Sequence, residues 1–258
     1  MHRRFLGLSA AVAALAVFAA MPFAASASHS WANYHWARTS NPFTLQLGDN
    51  VSSMWDSYLA TTSSDWSKST VLDTTIVTGG AGTAKRCNAT TGRVEVCNTT
   101  YGRNGWLGVA QIWASGDHIV QGTVKLNDTY FNTSTYNTPA WRNLVMCQEV
   151  GHTFGLAHQD EVFTNPNLGT CMDYTNNPST NQQPNAHDYD QLAAIYAHLD
   201  STTTVASMPA SLQNGDFAAA NSWGKLVSSA AAGQSQTFER EFAGGFRLVT
   251  HVFWVSPH

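Results

Sequence analysis

Gln148-Glu149-Val150-Gly151-His152-Thr153-Phe154-Gly155-Leu156-Ala157-His158 decides how this chain is read. Positions 148 and 152 stand four apart, so on a helix their side chains project from one face. Glu149 sits beside that face. Gly155 has no Cβ and suits a helix stop, after which the chain can bring His158 back towards the same point. Two imidazoles and one further donor leave an open position for water, which is what catalytic zinc needs. The plain alternative is a buried helix whose histidines are core residues with satisfied hydrogen bonds. A lone Glu-x-x-His favours that alternative; Gly155 and His158 at the right spacing tell against it.

Working outward, Cys171-Met172-Asp173-Tyr174 follows at a suitable distance. With this element added, the chain resembles the metzincin superfamily of zinc peptidases, whose usual string is H-E-x-x-H-x-x-G-x-x-H. The resemblance extends upstream to the matrixin branch. Trp66-Ser67 leading into Val71-Leu72 looks like the end of a helix before a strand, and Gly108-Val109-Ala110 with His118–Asn127 looks like the upper sheet. It covers roughly residues 43–199, with its specificity concentrated in 148–158 and 171–174. It implies that Glu149 is the general base, that His152 and His158 are zinc ligands, and that Met172 forms the hydrophobic floor. Tyr174 resembles the tyrosine that astacins and serralysins use as a switchable ligand; a packing tyrosine is the alternative.

Gln148 is the departure, because the string has a histidine there. An amide oxygen is a neutral, hard and weak donor beside imidazole. Its side chain can nevertheless reach the same point, so Gln148, His152 and His158 form the expected metal set, with Zn2+ as the cofactor. Asp160, Glu161, His118 and His187 are further donors that could compensate, although sequence alone does not place them near the metal.

The expected fold is α+β and metzincin-like: a twisted mixed sheet, an active-site helix, the methionine turn, a C-terminal helix and a small C-terminal β-hairpin appendage. Phe43–Gly48 alternates apolar and polar residues as a strand does. Asp49 or Asn50 can cap a helix with apolar positions Val51, Trp55, Tyr58 and Leu59. Val71–Thr78, Trp106–Trp113 and His118–Asn127 read as strands. Thr138-Pro139 opens the helix that carries Gln148, and Asp188–Leu199 forms another. Residues 201–215 read as a linker, and Gln236–Val255 as a hairpin turning at Gly244-Gly245.

His2, Arg3 and Arg4, an apolar run to about Ala20, and Ala25-Ser26-Ala27 read as a secretion signal occupying residues 1–27. Residues 28–200 then form the peptidase domain and 201–258 the linker and hairpin extension. Removal of the signal takes the formal charge from −4 to about −6. That charge is spread without runs, which argues against nucleic acid as a partner. No later stretch is apolar for long enough to span a bilayer. The expectation is a secreted, extracellular monomer without a membrane anchor.

Cys87, Cys97, Cys147 and Cys171 allow three pairings in an oxidising compartment. Cys87–Cys97 would close a turn containing Gly92, and Cys147–Cys171 would tie the metal helix to the segment below it. A metal-bound Cys147 is the alternative, at an unfavourable angle from His152. The function expected is a zinc metalloendopeptidase that hydrolyses protein or peptide substrates, with Glu149 as general base. Two other readings stand beside it. One is a catalytically weak or inactive metzincin-fold protein that binds peptides. The other is a module that meets a partner through Phe238, Phe242, Phe246, Phe253 and Trp254.

Overall fold

The computed structural model describes residues 29–203, 208–209, 212, 215–230 and 233–255. The expected secretion signal and part of the expected linker lie outside the described residues. The strands are β1 (His35–Trp36), β2 (Phe43–Asn50), β3 (Leu72–Thr78), β4 (Val94–Thr99), β5 (Trp106–Ser115), β6 (His118–Asn127), β7 (Lys225–Ser229), β8 (Ser235–Glu241) and β9 (Phe246–Trp254). The helices are α1 (Asp56–Trp66), α2 (Asp128–Phe131), α3 (Pro139–His152) and α4 (Ala186–Ile195). The fold is α+β, as expected, around one mixed sheet.

The sheet runs β3-β2-β4-β6-β5-β9-β8-β7, with β1 paired to the start of β6. Strands β2, β3, β4 and β6 are mutually parallel, and from β5 to β7 each pair is antiparallel. In β2, Leu45 and Leu47 point into the core while Thr44 and Gln46 face out, the expected alternation. Strands β5 and β6 are buried along nearly their whole length, because both faces of the sheet are covered. Leu59, Trp66, Leu144, Val145 and Val150 of α1 and α3 join one core with Leu107, Ala110, Ile112 and Val124. On other faces, Met208, Leu212 and Phe217 pack with Trp113, Val120 and Leu248, while Trp223 packs with Trp106, Val109 and Val252.

The hairpin over Gln236–Val255 is present and turns at Gly244-Gly245, both at positive φ. In place of an appendage it forms the continuation of the sheet. Strand β9 pairs with β5 from Phe246 to Trp254, since β5 would otherwise be an edge with its N–H and C=O groups unpaired. The hairpin aromatics are spent on this packing: Phe253 is buried in the main core, and Phe242 and Phe246 close over Trp113 and Leu248. Likewise, Met208 and Leu212 are buried, so the stretch expected as a linker supplies core residues.

Two helices differ from their expected bounds. Helix α1 begins at Asp56, because Asp49 and Asn50 are engaged at the end of β2: Asp49 Oδ1 accepts from Val51 N, and Asn50 bonds Glu95 and Ala81. Helix α4 runs from Ala186, where Asn185 and Asp188 form a reciprocal capping box, only to Ile195, so Leu199 lies beyond it and is exposed.

Lys125 on β6 is 4% exposed. Burial pushes its ammonium down to about 8, opposed by the charge of Asp216. The unfolded chain titrates near ~10.4, so the cost of burying the charge is fully present below pH 8. Lys125→Met should therefore raise the melting temperature at pH 7, through roughly 3 kcal/mol of stability. That gain should shrink as pH rises through 8 towards 10, and thermal melts across that range check it.

Candidate metal centre

Helix α3 is fixed at its start by Thr138, whose hydroxyl accepts the Trp141 N–H at 3.2 Å, with Pro139 in the first turn. The helix ends after His152, and Gly155 then takes a φ of +93°. A Cβ at Gly155 would lie 2.1 Å from the Tyr34 carbonyl oxygen. Only glycine allows the N-terminal segment to approach here, where Trp31 N–H donates to Gly155 O and Ala157 N–H to His29 O. The turn brings His158 back, and its ring centroid lies 4.5 Å from that of His152.

Below the helix, Cys147 is bonded to Cys171, and Cys87 to Cys97. Both expected bridges are present, and Cys147 is therefore unavailable as a thiolate ligand. The bridge brings the 171–174 segment under α3, where Gln159 N–H donates to Met172 O and Tyr174 N–H to Asp160 O. A Cβ on Gly151 would meet the Met172 sulfur at 2.8 Å, so the methionine lies directly against the helix. Gly108 on β5 does the same for Glu149, whose Oε1 lies 2.7 Å from where a Cβ would be.

Gln148, Glu149, His152 and His158 are buried together. His152 Nδ1 faces Leu156 O at 2.8 Å. A carbonyl can only accept, so Nδ1 carries the proton and Nε2 keeps a lone pair. Gln148 Nε2 donates to Cys171 O at 2.7 Å, which turns its Oε1 away as the free acceptor. Gln148 Oε1, Glu149 Oε1, His152 Nε2 and His158 Nε2 are all buried without a hydrogen-bond partner. Interiors seldom leave such groups unpaired. A cation between the two imidazoles would satisfy the lone pairs left open on His152 and His158.

The sequence reading missed His251. It projects from β9, fully buried, and forms with His152 and His158 a group whose ligand atoms lie within 4.8 Å of one another. The ring centroids of His152 and His251 are 4.0 Å apart. His251 Nδ1 lies 3.0 Å from Glu149 Oε2, and its Nε2 lies 3.0 Å from both Tyr174 Oη and Ser235 Oγ. Tyr174 thus reaches the centre through His251, with its ring 4.0 Å from that of His158 and stacked on Phe163. Of the other proposed donors, Glu161 comes within 3.5 Å of His158 Nδ1. Asp160 accepts from Val162 N–H, His187 sits against His29, and His118 belongs to a different cluster.

Burial dominates the electrostatics. It pushes the Glu149 carboxyl up to about 8, against the attraction of His152. It pushes His152 and His251 down to about 3, and His158 well below the usual imidazole range, helped for His152 and His158 by their neighbouring imidazoles. The three rings are therefore neutral, the form in which imidazole binds metal. Trp31 covers the site, stacked on His152 at 4.7 Å between centroids. A cavity of about 250 Å³ bounded by Trp31, His158, Glu161, Thr237 and Val249 adjoins it.

Among solved structures, the chain is similar to two of myroilysin. One has 12% identity, a TM-score of 0.39 and coverage of 66% of this chain and 98% of the other. The second has 13% identity, a TM-score of 0.36 and coverage of 63% and 86%. It is also similar to high choriolytic enzyme 1, a hatching enzyme zinc-protease from Oryzias latipes, the medaka fish, at 9% identity and a TM-score of 0.35, covering 63% and 94%. No protein-family model and no curated protein matches the chain. At these identities and TM-scores the likeness carries no weight for the site, whose chemistry rests on its own residues.

Proposed function

We propose that this chain is a secreted zinc metalloendopeptidase of metzincin type, acting on protein or peptide substrates. The observation that carries the reading is the convergence of three buried, neutral imidazoles, His152, His158 and His251, beside the Glu149 carboxylate. His251 supplies the third imidazole that position 148 lacks, and Gln148 Oε1 is a further, weaker donor. A zinc ion held there would supply Lewis acidity at a peptide carbonyl, acidify water, and provide the positive charge that keeps Glu149 ionised.

The chain's own groups divide the remaining work. Glu149 Oε1, without a hydrogen-bond partner, is the oxygen free to accept a proton from water and return it to the leaving amine. His251 holds the other oxygen and orients the carboxylate. With Nδ1 given to Glu149, His251 Nε2 is the lone pair a zinc would take, so the Tyr174 hydroxyl now on that nitrogen would yield to the metal. Met172 packs under α3 as the floor. The two disulfides suit an oxidising compartment, and no helix among the described residues is long and apolar enough to cross a membrane.

Zinc analysis of the purified mature protein should find near-stoichiometric metal at this centre. Cleavage of casein-like or peptide substrates should be chelator-sensitive and vanish in Glu149→Ala, which should retain the zinc. The second reading, a peptide-binding protein of weak or no activity, is favoured by one observation: Glu149, His152 and His251 are all fully buried. Stoichiometric zinc that is lost in His158→Ala, with no cleavage of any substrate, would select it.

A further inference from the structure

We propose a second zinc site, formed by His35, His198 and Asp200 with His118 hydrogen-bonded beside it, that clamps the N-terminal segment to the end of α4. It shares no residue with the Glu149 centre and does not rest on the peptidase reading.

The geometry is that of one face of a tetrahedron. His198 Nε2 lies 3.2 Å from His35 Nε2 and 3.6 Å from Asp200 Oδ1, and His35 Nε2 lies 3.5 Å from the same oxygen. Donors at 2.0–2.1 Å around tetrahedral zinc stand about 3.3 Å apart. The three edges scatter around that value. His118 Nε2 meets Asp200 Oδ1 at 3.2 Å from outside this group of three, so the fourth corner is left to water.

The supporting contacts orient these donors. Arg38 donates to Asp200 Oδ2 through Nη1 at 2.9 Å and through its backbone N–H at 3.1 Å. That fixes the carboxylate with Oδ1 turned towards the imidazoles. Arg38 Nη2 also donates to the His198 carbonyl. His35 Nδ1 faces Asn33 O at 2.6 Å, so the proton sits on Nδ1 and the Nε2 lone pair faces the cluster. A hydrogen bond of this kind behind a ligating imidazole is the usual outer support of a metal site. Two imidazoles and one carboxylate with an open fourth position form a donor set suited to zinc.

Access and purpose follow from the same surroundings. His35 is buried, whereas the side chains of His118 and His198 are 41% and 55% exposed. A cavity of about 490 Å³ lined by His35, Asp117, Gln191 and His198 leads to the cluster. The donors come from β1 and the segment after α4, with the start of β6 beside them through His118. The β1 segment also seats Trp36 Nε1 on Thr153 O, beside the turn that positions His158. A metal here would therefore pin the segment that covers the end of α3.

The same contacts could be made without metal if His118 and His198 carried Nε2 protons and donated them, so binding itself must be measured. Full-length mature protein stripped by chelator would be titrated with Zn2+ by calorimetry at pH 7.5, alongside His198→Ala and His118→Ala. Both variants alter half-exposed side chains, and circular dichroism would verify their folding. Wild type should bind one equivalent whose affinity falls about 100-fold or more in His198→Ala, and its zinc-induced rise in melting temperature should shrink in parallel. His158→Ala should leave that equivalent in place, which separates this site from the Glu149 centre. Equal stoichiometry and affinity in wild type and both variants would overturn the proposal, and show a hydrogen-bonded histidine cluster only.

Discussion

Replacing His251 by alanine should weaken zinc binding at the Glu149 centre by roughly 100-fold or more, a larger loss than Gln148→Ala causes. An outer-sphere partner alone is worth about 10–100-fold in metal affinity, and a direct imidazole should exceed it. Of the two candidate third donors, the amide oxygen of Gln148 is the poorer zinc ligand. His251 also holds Glu149 Oε2 at 3.0 Å, so its loss should depress turnover beyond the loss of metal. Saturating zinc should then restore occupancy in His251→Ala without restoring kcat. The measurement is competitive zinc titration against a chromophoric chelator, paired with kcat at saturating metal. If Gln148→Ala costs more affinity than His251→Ala, the helix-borne donors hold the ion and His251 only orients the base.

That prediction could not have been framed from the sequence, and the reason is physical. The local signals around α3 were legible. Thr138-Pro139 announced α3, the spacing of Glu149, His152, Gly155 and His158 announced the turn, and the four cysteines allowed the two bridges that formed. Strand β2 showed its alternation because one of its faces is covered and the other is not. His251 lies in Leu248-Val249-Thr250-His251-Val252-Phe253, a run buried throughout. Such a run has no alternation from which a facing can be read. Its position is set by the register of β9 on β5, which places Ala110 opposite His251. That register joins residues some 140 positions apart. The only hint was a titratable residue inside a mostly apolar strand, and such a histidine is more often a core residue than a ligand.

The same limit explains why the hairpin looked like an appendage. Its aromatics are apolar in sequence whether they face solvent, a partner or the sheet. Only the unpaired edge that β5 would otherwise present decides among these. The misplaced start of α1 has a related cause. Asp49 is a good helix cap by type, but its carboxylate and the Asn50 amide are taken by the end of β2 and the loop near Glu95. Long-range pairing overrode a local preference. At Gly155 local and long-range demands coincide, and there the sequence signal was strong.

The second large effect is expected there. Gly155→Ala should destabilise the protein by about 3–5 kcal/mol, at the severe end for one methyl group. Two costs combine. An L-residue at φ +93° pays roughly 1–2 kcal/mol for the left-handed backbone. The new Cβ would also fall 2.1 Å from Tyr34 O, a backbone atom that moves only if the 29–34 segment moves. Shifting that segment disturbs Trp31 N–H to Gly155 O and the stacking of Trp31 on His152. The loss should therefore appear as a fall of about 10 °C or more in the melting temperature, together with weaker zinc binding through His158. Gly116→Ala isolates the backbone term. Its φ is +58° and nothing lies within 4 Å of the added carbon, so it should cost only about 1 kcal/mol. Similar melting temperatures for the two variants would mean that the N-terminal segment yields readily at Gly155 and does not hold the turn that presents His158.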